Sequence, residues 1–296
     1  MPELPEVETV RRGLDRLVVG RTIAALEVFE PKSFQVADLP PTREETAAAI
    51  QRHVVGATIA AARRRAKVLI LDLDNGFSLV GHLKMTGQMV VRGAEDWGGG
   101  HPTDSLLARL PDRSTRLEFR FADGTQLFFN DQRKFGWVRL MATDAVEHLP
   151  FIAALGPEPL DPAGLPEFRR RIARHPKTTV KAALLNQEIV AGIGNIYADE
   201  ALWAARVNPA RPVADVSARK LRELYEAAAS VMRLSIDLGG STDRNYVDAE
   251  GNKGSYLGFA HVFRREGQAC SRCGATIRKT RVAGRGTHYC PTCQRR

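Results

Sequence analysis

The sequence predicts an α+β protein: a helix and antiparallel strands in the first half, helices in the second, and a metal-stapled tail. Three observations predict it. Apolar runs before residue 131 are interrupted by Asp74-Asn75-Gly76 and by Asp123-Gly124, which are hairpin signals. The proline-rich stretch Gly156-Pro157-Glu158-Pro159-Leu160-Asp161-Pro162 continues neither element type, and beyond it the apolar spacing becomes helical. All four cysteines fall in the tail, as Cys270-x2-Cys273 and Cys290-x2-Cys293.

Element by element, Pro5 to Val19 places Val7, Val10, Leu14 and Leu17 on one helical face, with acids in the first turn and Gly20 as a stop. Val68–Leu73 pairs with Phe77–Leu83 as one hairpin, and Leu117–Phe121 with Gln126–Asn130 as another. The glycine-rich stretch Arg92 to Asp104 is expected to be a surface loop carrying no chemistry. Helices are expected over Leu165–Arg174, Thr178–Asn186, Asn195–Ala205 and Ser217–Leu238. Leu238 to Ser255, rich in Gly, Asp, Asn and Ser, is expected to be a loop ordered by its ligand.

With 296 residues and 44% apolar side chains the chain is long enough for two modest domains. The excess of 43 Lys+Arg over 34 Asp+Glu, a net +9 with a pI near 9.7, favours a polyanionic partner; nucleic acid and an anionic membrane are the two candidates. No apolar run reaches the length of a membrane span, and Glu3, Glu6 and Glu8 stand where a signal peptide would be basic. The expectation is a cytoplasmic protein without a membrane partner. Charge is concentrated at the end: from Arg264 to Arg296 nine Lys and Arg face the single Glu266, a local net charge of +8.

The two cysteine pairs, sixteen residues apart, match the spacing of two knuckles that close four thiolates around one tetrahedral zinc ion. Disulfides are the alternative, disfavoured in a cytosolic, cysteine-poor chain. Four protein ligands leave no open position, so Cys270, Cys273, Cys290 and Cys293 are expected to hold one structural zinc ion. Between the knuckles, Arg278, Lys279, Arg281 and Arg285 would project from a short hairpin suited to phosphate. At the other end, removal of Met1 would leave Pro2 as a secondary amine, and an α-amino group titrates near 8, so part of it is a neutral nucleophile at pH 7. Attack on an anomeric carbon would give an iminium electron sink, with Glu3 positioned to move protons. Alone this is a weak signal, since an N-terminal Pro-Glu is usually just a processed end, and Glu6 and Glu8 are ordinary first-turn acids.

The run Met1-Pro2-Glu3-Leu4-Pro5-Glu6-Val7-Glu8-Thr9-Val10 resembles the start of the formamidopyrimidine-DNA glycosylases, also called 8-oxoguanine DNA glycosylases. The resemblance continues through Arg64-Arg65-Ala66-Lys67, His82-Leu83-Lys84-Met85-Thr86-Gly87, Asp131-Gln132-Arg133-Lys134-Phe135-Gly136, Gly192-Ile193-Gly194-Asn195-Ile196-Tyr197-Ala198 and the four-cysteine tail. It spans the whole chain. It implies an N-terminal β-sandwich with flanking helices, a helical C-terminal domain with a helix-two-turn-helix unit, and a zinc-finger β-hairpin. The domains would be 1–150 catalytic, 151–162 linker, 163–262 helical with a lesion-capping loop, and 263–296 zinc finger.

The resemblance also implies the chemistry: a bifunctional glycosylase and abasic-site lyase that excises oxidised purines from duplex DNA and acts as a monomer. Pro2 would form the Schiff base, Glu3 would assist opening of the sugar ring, Lys67 would serve β-elimination and Arg285 δ-elimination. Met85, Arg133 and Phe135 would fill the hole left by the everted nucleotide and hold the orphan base. His82, Lys177, Lys181 and Asn195 would contact DNA, with Asn195 either capping its helix or touching phosphate beside Gly192-Ile193-Gly194. The related endonuclease VIII branch, which prefers oxidised pyrimidines, carries Gly where this chain has Leu4. The unusual Asp243-Arg244-Asn245, and the absence of a histidine around Ser114-Thr115-Arg116, leave the fine lesion preference open. A pyrimidine-specific glycosylase and a non-catalytic zinc-finger damage binder are the rivals; a retained Met1 would favour the binder.

Overall fold

The computed structural model describes residues 2–37, 42–101, 104–241 and 256–295, and the chain divides into two compact units. The first comprises Met1–Ala153 with Gly239–Gly254, the second Ala154–Leu238 with Ser255–Arg296.

The first unit opens with α1 (Leu4–Val18), β1 (Ile23–Val28), β2 (Phe34–Val36) and α2 (Arg43–His53). Eight strands follow: β3 (Ile59–Arg65), β4 (Val68–Leu73), β5 (Phe77–His82), β6 (Gly87–Arg92), β7 (Trp97–Gly100), β8 (Thr115–Phe121), β9 (Gln126–Asp131) and β10 (Trp137–Ala142). The short α3 (Pro150–Ala153) closes it. The strands form two five-stranded sheets, β1-β8-β9-β6-β7 and β2-β10-β5-β4-β3, antiparallel throughout except for the β2–β10 pair. Side chains alternate along each strand, so Leu117, Phe119 and Phe121 of β8 and Leu127 and Phe129 of β9 enter one core with Leu69, Leu71 and Leu73 of β4 and Leu140 of β10. This is the expected β-sandwich. Helix α1 adds Val7, Val10, Leu14 and Leu17 to the same core, which fixes the position of its N-terminus.

One expectation fails here. The stretch taken for a loop contains β7, paired with β6 from Gln88↔Gly100 to Val91↔Trp97. Glycines have poor strand propensity, so the sequence hides it. What holds the strand is Trp97, whose indole occupies the space above Gly13 of α1; a Cβ at Gly13 would lie 2.2 Å from the ring.

The second unit holds α4 (Leu165–Ile172), α5 (Val180–Leu185), α6 (Asn195–Ala204), α7 (Ala218–Asp237), α8 (Tyr256–Phe259) and the hairpin β11 (Arg278–Val282) with β12 (Arg285–Tyr289). Thr179 caps α5 by accepting the Ala182 N–H, and Ser217 caps α7 by accepting that of Lys220, so α5 begins two residues and α7 one residue inside the expected span. The proline-rich stretch is tied down within this unit: the Gly156 N–H donates to Gln187 O and the Ala191 N–H to Pro157 O. The hairpin turns through Ala283 and Gly284, both at positive φ, as a two-residue turn between twisted strands requires. The finger packs Val262, Cys270, Ile277 and Cys290 on Trp203 of α6.

Candidate functional site

Pro2 and Glu3 are buried immediately ahead of α1. The Glu3 N–H donates to Glu6 Oε2 at 2.8 Å while the Glu3 carboxylate accepts the Glu6 N–H, a reciprocal capping box that fixes the first turn. Glu6 Oε1 accepts the N–H of Ser241 at 2.9 Å, and Gly240, at φ +97°, lies against the Glu6 side chain. Glu6 thus joins the chain start to the beginning of the glycine-rich loop. The rest of that loop, with Asp243-Arg244-Asn245 and Tyr246-Val247-Asp248, lies outside the described residues.

Lys67 sits at the turn between β3 and β4, beside Ala66 at φ +51°, and is 7% exposed. Arg64 braces this turn by donating to Ala66 O at 3.0 Å and to Glu8 on α1 at 3.1 Å. Glu8 also accepts from Arg11 and Arg12. Burial would raise the Glu8 carboxyl, but hydrogen bonds from Arg11, Arg64 and Arg12 outweigh it and hold the group below its ordinary value. Strand register sets Val68 opposite His82, so Lys67 and His82 lie at the same end of β4 and β5. Burial first, then the charges of Lys84 and Lys67, push the His82 imidazole down to about 3. Its Nδ1 accepts the Lys84 N–H at 2.9 Å, which leaves the neutral ring an Nε2–H donor rather than a cation for phosphate.

The three residues expected to enter the duplex occupy two neighbouring turns. Met85 is 38% exposed between β5 and β6, and Phe135 is 53% exposed between β9 and β10, with the Arg133 guanidinium over its ring at 4.9 Å. They are two of seven large apolar side chains exposed among the described residues, so it is their place on neighbouring turns beside Arg133, rather than exposure alone, that sets them apart.

In the second unit Arg285 is exposed at the start of β12 and Lys177 is exposed ahead of α5. Lys181 corrects the sequence reading. It is 0% exposed, and its ammonium donates to Asp199 at 2.6 Å, to Thr287 Oγ1 at 2.8 Å and to Gly286 O at 3.0 Å, so its hydrogens are spent inside the protein. Asn195 is the first residue of α6, whose cap is Gly194, and its Nδ2 donates to Gly286 O at 3.0 Å. Lys181 and Asn195 therefore converge on the residue next to Arg285, whereas no contact links Lys177 to this group among the described residues. Asp199 and Glu200 escaped the sequence reading, although two adjacent acids on an apolar helix are a legible signal. Asp199 accepts from Lys181 and from the His288 N–H; Glu200 accepts the N–H groups of His261, Val262 and Phe263, which lead into the finger.

The Sγ atoms of Cys270, Cys273, Cys290 and Cys293 lie within 4.8 Å of one another, with Cys273–Cys290 at 3.5 Å and Cys270–Cys293 at 4.0 Å. These separations are far beyond a disulfide bond and bracket the spacing of about 3.8 Å that four sulfurs at 2.3 Å from one tetrahedral zinc would adopt. The indole Nε1–H of Trp203 donates to Cys270 Sγ at 3.4 Å, support of the kind that orients a thiolate ligand. The four thiolates form a closed structural zinc site. Among the described residues, no helix is long and apolar enough to cross a membrane.

Comparison with known proteins covers the chain end to end. A family model described as "Formamidopyrimidine-DNA glycosylase N-terminal domain" matches residues 1–138, the corresponding "H2TH domain" matches 155–246, and "Zinc finger found in FPG and IleRS" matches 267–296. A formamidopyrimidine-DNA glycosylase from Geobacillus kaustophilus is 41% identical over 295 residues, covering 100% of both chains. Among solved structures, a Lactococcus lactis enzyme of that kind in complex with abasic-site DNA superposes with a TM-score of 0.83 at 34% identity, over 99% of this chain and 100% of the other. A mutant of the same bacterial enzyme with DNA containing a formamidopyrimidine lesion gives 0.83 at 35% identity and 100% coverage of both.

Proposed function

The chain belongs to the formamidopyrimidine-DNA glycosylase family, and on that premise we propose how its own residues carry out the reaction. It is a zinc-finger DNA glycosylase of base excision repair, of a family in which glycosylase and lyase activities go together. The substrates we assign are 8-oxoguanine and formamidopyrimidines in duplex DNA. The full-length similarity to enzymes crystallised on abasic-site and formamidopyrimidine DNA supports this, as does Leu4 in the N-terminal motif.

Once Met1 is removed, the Pro2 nitrogen attacks C1′ of the everted nucleotide. The glycosidic bond breaks and its electron pair leaves with the base, which takes up the proton that the Pro2 nitrogen sheds, while Glu3 protonates the sugar ring oxygen as the nitrogen lone pair opens the ring to a Pro2 iminium. The iminium acidifies the neighbouring C2′ proton, and loss of that proton expels the 3′ phosphate. Lys67 serves this β-elimination and Arg285 the subsequent δ-elimination of the 5′ phosphate. Met85, Arg133 and Phe135 fill the vacated stack. His82 and Asn195 donate to phosphate, and Lys177 supplies an exposed charge there. The observation that carries this reading is the buried Pro2-Glu3 pair, fixed by the capping box of α1 and tied through Glu6 to the entrance of the loop expected to cap the lesion. We also assign the chain to the cytoplasm as a monomer, because four reduced thiols suit a reducing compartment and every assigned group comes from one chain.

Borohydride trapping on a duplex with 8-oxoguanine opposite cytosine tests the assignment, run beside protein whose N-terminus is blocked and with the mature N-terminus read by mass spectrometry. A covalent adduct formed only by the free proline is expected. No adduct despite tight binding and a free Pro2 would turn the reading to a non-catalytic binder, and trapping on thymine glycol alone would turn it to a pyrimidine enzyme.

A further inference from the structure

We infer that Asp131 is a positioning residue for strand penetration, a single carboxylate that sets the spacing of the two turns carrying the wedge. The inference rests on the reading of Met85, Arg133 and Phe135 given above and goes beyond it. Asp131 is the last residue of β9 and is 0% exposed. Its Oδ1 accepts from the Thr86 hydroxyl and from the Arg133 N–H at 3.2 Å; its Oδ2 accepts from the Gly136 N–H at 2.6 Å. The Thr86 oxygen in turn accepts the Arg133 N–H at 3.1 Å. One carboxylate and one hydroxyl thereby hold residue 86 of the first turn and residues 133 and 136 of the second.

Both turns need holding. Lys84 at φ +50° and Lys134 at φ +57° are left-handed non-glycine residues, and each immediately precedes a wedge side chain, Met85 or Phe135. Such conformations are unfavourable for a residue with a Cβ and persist only where surrounding contacts impose them. The two turns also approach each other closely at the clamp: Gly87 pairs with Asp131 across β6 and β9, and a Cβ at Gly136 would lie 3.1 Å from both Asp131 Oδ2 and His82 O. A buried carboxylate held by three hydrogen bonds gives a rigid separation, whereas a loosened one lets each turn relax separately.

The test uses the full-length zinc-loaded protein with Thr86→Val, which removes the hydroxyl at constant shape, Thr86→Ser, which keeps it, and Asp131→Asn. Single-turnover excision of 8-oxoguanine from a duplex, which needs the wedge, is compared with cleavage of an abasic site in a single strand, which does not. Duplex excision is expected to fall by about tenfold or more in Thr86→Val and Asp131→Asn, with single-strand cleavage within about twofold of the parent and Thr86→Ser near parental on both. Equal losses on both substrates, or no loss on the duplex, overturn the inference. Met85→Ala and Phe135→Ala are measured alongside. If neither slows duplex excision the wedge reading itself fails; if they do while Thr86→Val and Asp131→Asn do not, only the positioning role is overturned.

Discussion

Lys181 carries its charge into the interior of the second unit, where Asp199 at 2.6 Å neutralises it. Removing one partner of a buried pair leaves the other charge uncompensated, a loss of about 3–5 kcal/mol. Lys181→Ala is therefore expected to lower the thermal unfolding midpoint sharply, and an unchanged midpoint would contradict the buried pair. Exposed Lys177 behaves differently: Lys177→Ala should leave stability alone and reduce the slope of log affinity against log salt by roughly one phosphate contact, which a titration series reads directly. His82 makes a pH prediction. Burial and the neighbouring Lys84 and Lys67 lower its folded value from 6.5 to about 3, so between those values the unfolded chain binds a proton that the native chain does not. Its contribution to stability is present above about 6.5 and is lost as pH falls through that window. Unfolding midpoints followed from pH 7 down to about 4 should fall more steeply in the parent than in His82→Gln; parallel curves would refute the neutral, partly buried ring.

Helix α1 performs two tasks at once, filling the sandwich core with one face and presenting Pro2 and Glu3 at its end. Its seat depends on β7, since the Trp97 indole lies where Gly13 has no side chain. Gly13→Ala gains helix propensity but forces the ring out of place, and overpacking of this kind costs about 1–3 kcal/mol. A lower urea midpoint is expected; a midpoint raised by the propensity gain would show that Trp97 moves freely. The finger hairpin is likewise held by its neighbour: Asp199 and Glu200 of α6 bind β12 and the 261–263 backbone, and Asn195 reaches Gly286 O. Arg285 thus projects from a strand whose backbone is anchored to a helix rather than from a free loop.

Across the whole molecule the finger is a small element with a small core, so its fold depends on the metal. Chelation should disorder the hairpin and abolish duplex binding, with Trp203, bonded to Cys270 and stacked on His261 at 4.0 Å, as the fluorescent reporter. Retained affinity in demetallated protein would remove the finger from the DNA interface. Much of this architecture was legible in the order of residues. The helix from residue 4 to 18, both turn-marked hairpins and the zinc site follow from apolar period, turn chemistry and cysteine spacing, each a property of neighbours in the chain. The N-terminal motif was legible only as a resemblance. What the tertiary structure decided is the environment of individual polar side chains and the pairing of weak strands: the strand at Trp97, the burial of Lys181, the neutrality of His82 and the clamp at Asp131. The deciding partners of the two buried charges lie far along the chain, Thr86 45 residues from Asp131 and Thr287 106 from Lys181, and a lysine in a helix reads the same whether it faces water or a carboxylate. Burial is set by long-range packing, and packing alone determines which charges stay free for DNA.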